Sequence, residues 1–150
     1  METTPPRVLI VADRGDPNPA LLAAVRRRTA AGRCQFTLLV PAVARGFHRV
    51  VDPEDACCAE AQLTLAALIP PLEAAAGASI DARIGAHEVL AAIEDTLNET
   101  DFAEVIVACT GAPIWRWLRV DLPRKVASLG VTVIAVPGPP PMRSSSVPRV

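Results

Sequence analysis

The chain has 150 residues, of which 51% are hydrophobic, and its formal net charge at pH 7 is −1. This length fits one domain that buries roughly two-thirds of its unfolded surface in a single core. The near-neutral charge excludes a global field that would recruit nucleic acid or acidic membranes.

Aromatic residues are scarce, with three Phe, two Trp and no Tyr. The core must therefore consist of Ala, Val, Leu and Ile, which is typical of helices packed on a buried parallel sheet. The N-terminus shows no basic stretch followed by an apolar run and a cleavage site, so we expect no signal peptide. The apolar stretch Ala61–Ala78 contains Pro70, Pro71 and Glu73, which favours a buried helix over a membrane span. The four cysteines lack a pairing framework, so we expect a cytoplasmic protein with free thiols and no metal site.

Apolar runs and capping signals predict alternating strands and helices in the first half of the chain. The predicted elements are a strand at Arg7–Ala12, a helix from Pro19 to Gly32, a strand at Gln35–Val40 and a helix from Pro53 to Gly77. Asn18 and Asp52 each precede a proline, an N-cap followed by a residue whose missing N–H costs nothing there. Pro70–Pro71 should kink the second helix or make it restart.

The second half continues the same alternation. The predicted elements are strands at Ser79–Ile84, Glu104–Cys109 and Val131–Val136, a helix marked by Val89, Ile93 and Leu97, and a further helix between the last two strands. Residues 1–6 should be a flexible N-terminus, and the Pro- and Ser-rich residues 138–150 should be disordered or extended. One α/β domain is therefore expected at residues 7–137.

Five strands that alternate with helices predict one doubly wound parallel sheet with right-handed crossovers and helices on both faces. We expect the flavodoxin-like strand order 3-2-1-4-5. Ligands of such folds bind beyond the carboxyl ends of the strands, where the strand order reverses. The loops that begin at Asp13, Pro41 and Thr110 are therefore the candidate binding loops.

Several of these segments resemble the universal stress protein family over about Arg7 to Pro137. The resemblance lies in a first strand that closes with an aspartate, a second strand, a glycine-ended third strand, a third helix and a last strand, which read VLIVAD, FTLLV, IDARIG, HEVLAAIEDTL and VTVIAV. The resemblance implies the fold just described, a homodimer and, in members that bind ATP, adenine held against the first-strand aspartate and the end of the second strand. The matching residues here are Asp13 and, more loosely, Val40.

ATP-binding members of the family hold the phosphates with a glycine loop, and the corresponding segment of this chain departs from that pattern. That pattern is G-x-x-G, nine residues, then G-[ST], in which glycines let main-chain N–H groups approach phosphate oxygens. Cys109 and Ala112 stand where the first two glycines would fall, and Gly111 is out of register. No glycine follows until Gly130, and Asp121 would add negative charge. We therefore expect no ATP binding through this loop and no resident cofactor.

Three functions remain open from the sequence. The first is a non-catalytic binding or regulatory module of stress-protein type, with a small ligand in the cleft or none. The second is an adenine-nucleotide binder that uses the 110–124 loop with Asp13, Val40, Thr110, Gly111 and Arg116 in place of the lost glycines. The third is a redox or hydrolytic enzyme that works through Cys109, for which the sequence identifies no base. No assembled catalytic set or nucleic-acid-binding pattern is present.

The last strand carries apolar residues on both faces. As the terminal strand, Val131–Val136 should lie at a sheet edge, and an apolar edge favours pairing with a second copy. A homodimer through this strand is therefore predicted.

Overall fold

The computed structural model describes residues 4–12, 18–41, 53–85, 89–108 and 131–136. Its elements, in chain order, are β1 Arg7–Val11, α1 Pro19–Ala31, β2 Gln35–Pro41, α2 Pro53–Ala76, β3 Asp81–Gly85, α3 Val89–Glu99, β4 Glu104–Val107 and β5 Thr132–Ala135. All five predicted strands are present, together with three of the predicted helices. The helix expected between β4 and β5 and the C-terminal segment fall outside the described residues, as do residues 1–3 of the N-terminal segment.

The five strands form one parallel sheet in the order β3-β2-β1-β4-β5. The predicted doubly wound α/β fold and its strand order are therefore confirmed. At the centre of the sheet, Ile10 of β1 pairs with Leu38 of β2 on one side and with Ile106 of β4 on the other. β3 and β5 form the two edges.

Each face of the sheet is covered by its own apolar cluster, because successive side chains of a strand point to opposite faces. The larger cluster joins Ile10 and Leu38 to Leu21 of α1 and Leu72 of α2. The smaller cluster joins Leu9, Val11, Leu39 and Val105 to Ile93 of α3. Helices α1 and α2 therefore form a layer on one face, and α3 lies on the other face.

The helix ends follow the capping signals of the sequence. Asn18 is the N-cap of α1, and its Oδ1 accepts a hydrogen bond from the Ala20 N–H at 3.0 Å. Gly77 ends α2 at φ +70°, and its N–H donates to the Glu73 carbonyl at 2.8 Å. A left-handed residue after a helix is easiest for glycine, which carries no Cβ.

Two details differ from the expectations. β3 begins at Asp81 rather than Ser79, and the Ile80 N–H just before it donates to the Glu73 carboxylate of α2 at 3.1 Å. Of the kink or restart expected at Pro70–Pro71, the restart does not occur, because α2 is one helix from Pro53 to Ala76. The buried residues Leu68 and Leu72 hold it to the sheet on both sides of the prolines, and core packing compensates there for the lost N–H donors.

Other strand ends differ by one or two residues, as is usual at the ends of elements. In the described part of the chain, no helix has the length and apolar character that a membrane crossing requires.

Candidate functional site

The carboxyl edge of the sheet is where this fold binds ligands, and its centre lies between β1 and β4. There Ala12 and Ala108 follow the two strands, and the Ala108 N–H donates to the Val11 carbonyl at 2.8 Å. One position further out on the chain stand Asp13 and Cys109. Ala12 and Ala108, which directly precede Asp13 and Cys109, are therefore neighbours in the sheet.

Most of the sequence-predicted site lies in the loops beyond this edge. The candidates Asp13, Cys109, Thr110, Gly111 and Arg116 are outside the described residues. Val40 is described as the penultimate residue of β2, and the residue as a whole, side chain included, is only 1% exposed. Because that side chain packs in the larger core cluster, Val40 can meet a ligand only through its main chain.

Pro41, the last residue of β2, interrupts the hydrogen-bond ladder between β1 and β2 and leaves an acceptor gap at its end. The ladder of these strands reaches the bond from the Ala12 N–H to the Leu39 carbonyl, 3.2 Å long. By the alternation of a parallel ladder, the next bond would run from the N–H of residue 41 to the Ala12 carbonyl. Proline has no N–H, so β2 cannot make that bond.

Within the described residues, neither strand donates a hydrogen bond to the carbonyls of Ala12 and Pro41 on this side. The Ala12 carbonyl points toward β2 because the N–H of the same residue does. The Pro41 carbonyl points toward β1, like the Leu39 carbonyl two residues earlier. The sequence alone marks Pro41 only as the start of a loop, because its effect on the ladder depends on the strand register.

A close contact between α3 and the end of β3 lies at the β3 side of this edge. A Cβ on Gly85, the last residue of β3, would lie 2.6 Å from the Ala92 Cβ and 2.9 Å from Leu39 Cδ1. Glycine at this position lets α3 approach the end of β3, which pairs there with Pro41. Because residue 85 has no Cβ, α3 can pack closely against this end of the sheet.

The described part of this edge carries no charge. Ala12, Val40, Pro41, Ala108 and Val136 are all buried. Within the described residues, no group of three or more His, Cys, Asp or Glu could hold a metal ion. Main-chain carbonyls are therefore the polar groups that this framework offers, and any ionised ligand contact must come from the loops.

Ionisable groups gather instead at the opposite, amino edge. Arg28 of α1 pairs with Glu104 at the start of β4, with Nε and Oε2 3.1 Å apart. The half-buried Cys34 lies near this pair. Burial raises the pKa of the Cys34 thiol, and the Arg28 charge opposes that rise only in part while the Glu104 carboxylate adds to it. This thiol is therefore less reactive at neutral pH than an ordinary one.

Solved structures of known proteins share this fold. The chain superposes on a universal stress protein from Archaeoglobus fulgidus with a TM-score of 0.60 and 13% identity, covering 89% of this chain and 94% of that one. It superposes on a universal stress protein in complex with cAMP with a TM-score of 0.55 and 18% identity, covering 89% and 98%. No family model and no curated protein sequence matches the chain. The chain thus has the fold of the universal stress proteins, which confirms the resemblance at the level of fold.

Proposed function

We propose that this protein is a non-catalytic binding module of universal-stress-protein type that holds a small ligand at the carboxyl edge of the sheet. The observation that carries the proposal is the Ala12 carbonyl, which faces the gap left by the missing Pro41 N–H, beside the strand-order reversal. A buried carbonyl is costly to leave unpaired, so a ligand with N–H donors gains by filling the gap.

An adenine ring carries such a donor in its exocyclic amino group. One structural neighbour is a universal stress protein in complex with cAMP, which supports a ligand of this class. A cyclic monophosphate also makes less demand than a triphosphate on the glycine loop that the sequence lacks. In this proposal Asp13 and the main chain of Val40 contact the nucleoside, and Thr110, Gly111 and Arg116 supply the contacts to one phosphate.

Thermal unfolding with matched nucleotides tests the proposal. We expect cAMP to raise the unfolding midpoint, with about 2.7 kcal/mol of stabilisation at a free concentration of 100 times Kd. Cyclic IMP, which has a carbonyl in place of the amino group, should give a much smaller rise, and ATP should not exceed cAMP. No shift with any of the three would refute nucleotide binding, and a larger shift with ATP would favour the adenine-nucleotide binder that grips phosphates with the 110–124 loop.

A proline variant separates the acceptor gap from the rest of the site. Pro41→Ala restores a donor for the Ala12 carbonyl, so we expect cAMP to lose its advantage over cyclic IMP. Pro70→Ala, at an exposed proline of α2, is the matched control and should keep that advantage. Equal preference in the wild type and in Pro41→Ala would show that the gap does not select the ligand.

Catalysis through Cys109 is the alternative to a binding module. Alkylation of the native protein followed by peptide mapping tests it, because a catalytic thiol reacts rapidly at neutral pH. Slow modification of Cys109 is expected. The cytoplasmic location stays a prediction from the sequence.

A further inference from the structure

The described part of the outer face of α2 is largely apolar, where a surface helix is ordinarily polar. The described exposed side chains on it are Ala59, Gln62, Leu63, Ala66, Ala67, Pro70 and Ala74. None of them is charged. Leu63 is 71% exposed, which is unusual among the large hydrophobic residues that the structure describes.

Helix α3, on the other side of the sheet, shows the ordinary pattern. It exposes Asp95, Asn98 and Glu99 and buries Ile93. A helix that is apolar on its outer face as well as its inner face is typically covered on both. The contrast marks the outer face of α2 as a contact surface.

Positive charge is exposed on the neighbouring helix of the same layer. Helix α1 packs beside α2 in the same layer and contains no acidic residue. Arg26 and Arg27 are exposed on α1, and Arg33 is exposed just after it. Arg28 is not part of this exposed positive charge, because it forms the ion pair with Glu104.

We infer that the outer face of the α1–α2 layer binds an amphipathic helix of a partner protein, one with an apolar stripe and an acidic flank. The stripe would lie along α2 over Leu63, and the acidic flank would meet Arg26 and Arg27. Residues 59 to 74 span about 22 Å along the helix axis, which is the length of four turns of a partner helix. Recognition by an apolar helix face with flanking charges is a common mode of peptide binding.

The same observations disfavour two other occupants. A second copy of the chain would bring the same arginines to the contact, and the described carboxylate of α2, that of Glu73, is half-buried and accepts a hydrogen bond from the Ile80 N–H. A lipid surface would gain little, because the described exposed side chains other than Leu63 are short and insert little apolar area.

Two synthetic helices test the inference. One is an amphipathic peptide of about 18 residues with Leu and Ala on one face and Glu along one flank, and the other has Lys in place of Glu. We expect fluorescence anisotropy to show at least about tenfold tighter binding of the Glu peptide, with a difference that shrinks as salt is added. Leu63→Gln should weaken its binding, and Arg26→Glu/Arg27→Glu should reverse the preference to the Lys peptide.

The control is Arg7→Glu, which reverses an exposed arginine at the start of β1 and should leave the preference unchanged. Equal binding of both peptides, or binding of neither, overturns the inference. So does binding to vesicles of anionic phosphatidylglycerol without binding of the Glu peptide, which would identify a membrane surface. A dimer in light scattering that Leu63→Gln abolishes would identify a second copy and also overturns it.

Discussion

Arg28 of α1 and Glu104 of β4 form an ion pair that ties the helix layer to the amino end of a central strand. Their side chains are 15% and 23% exposed, and the Nε and Oε2 atoms are shielded from solvent. The Nε–H is not aligned for a hydrogen bond to this oxygen, so the attraction between the two groups is chiefly Coulombic. A guanidinium nitrogen of Arg28 also donates to the Gly32 carbonyl at 3.3 Å, at the C-terminal end of the helix dipole.

Removing one partner of this pair should destabilise the fold. Glu104→Gln leaves the Arg28 charge largely buried without its counter-ion, so we expect a loss of about 1–3 kcal/mol in the free energy of unfolding by urea. The double variant Arg28→Met/Glu104→Gln should cost less than the sum of the single variants. Arg27→Met, at an exposed arginine, should change stability by less than about 0.5 kcal/mol. Strict additivity would show that the pair is not energetically coupled.

The close approach of Gly85 and Ala92 gives a steric prediction. Gly85→Ala places a methyl group 2.6 Å from the Ala92 Cβ, so α3 must shift, at a cost of about 1–3 kcal/mol in thermal or urea unfolding. Ala92→Gly should relieve the contact, although glycine within a helix costs about 1 kcal/mol by itself. The double variant should therefore be more stable than additivity predicts. An unchanged stability of Gly85→Ala would mean that the contact is loose.

The raised pKa of Cys34 makes stability fall at alkaline pH. The folded chain holds the thiol proton more tightly than the unfolded chain, so this contribution is complete below the ordinary thiol pKa of about 8.5 and is lost as pH rises through the higher folded value. Urea unfolding between neutral and alkaline pH should show the decline, and Cys34→Ala should remove that part of it. Peptide mapping after brief alkylation at neutral pH should find Cys34 modified more slowly than a free thiol. Faster modification would contradict the burial.

The central elements could be predicted from the sequence because their signals are local. The apolar run of β1 and the Asn18–Pro19 cap of α1 each specify one structure without reference to the rest of the chain. The continuity of α2 through Pro70–Pro71 could not be predicted from the sequence, because it depends on packing on both sides of the prolines. The acceptor gap at Pro41 and the contact of Gly85 with Ala92 also required the register of neighbouring strands and helices.

The homodimer through β5 stays our proposal, and the register of the strand shows how to test it. β5 is an edge strand of the sheet. The N–H groups of Thr132 and Val136 donate to carbonyls of Ala103 and Val107, so those of Val133 and Ala135 point away from β4. A second copy that extends the sheet would have to use these outward groups.

Val133→Pro removes an outward N–H and leaves the β4–β5 bonds in place, a substitution that edge strands tolerate. We expect light scattering at micromolar concentration to give a dimer for the wild type and a monomer for Val133→Pro, with the same circular dichroism spectrum for both. Ile134→Pro, whose lost N–H faces β4, should instead lower the unfolding midpoint. A Val133→Pro protein that is still dimeric would place the contact elsewhere, because a strand with a proline at that position cannot complete the added ladder.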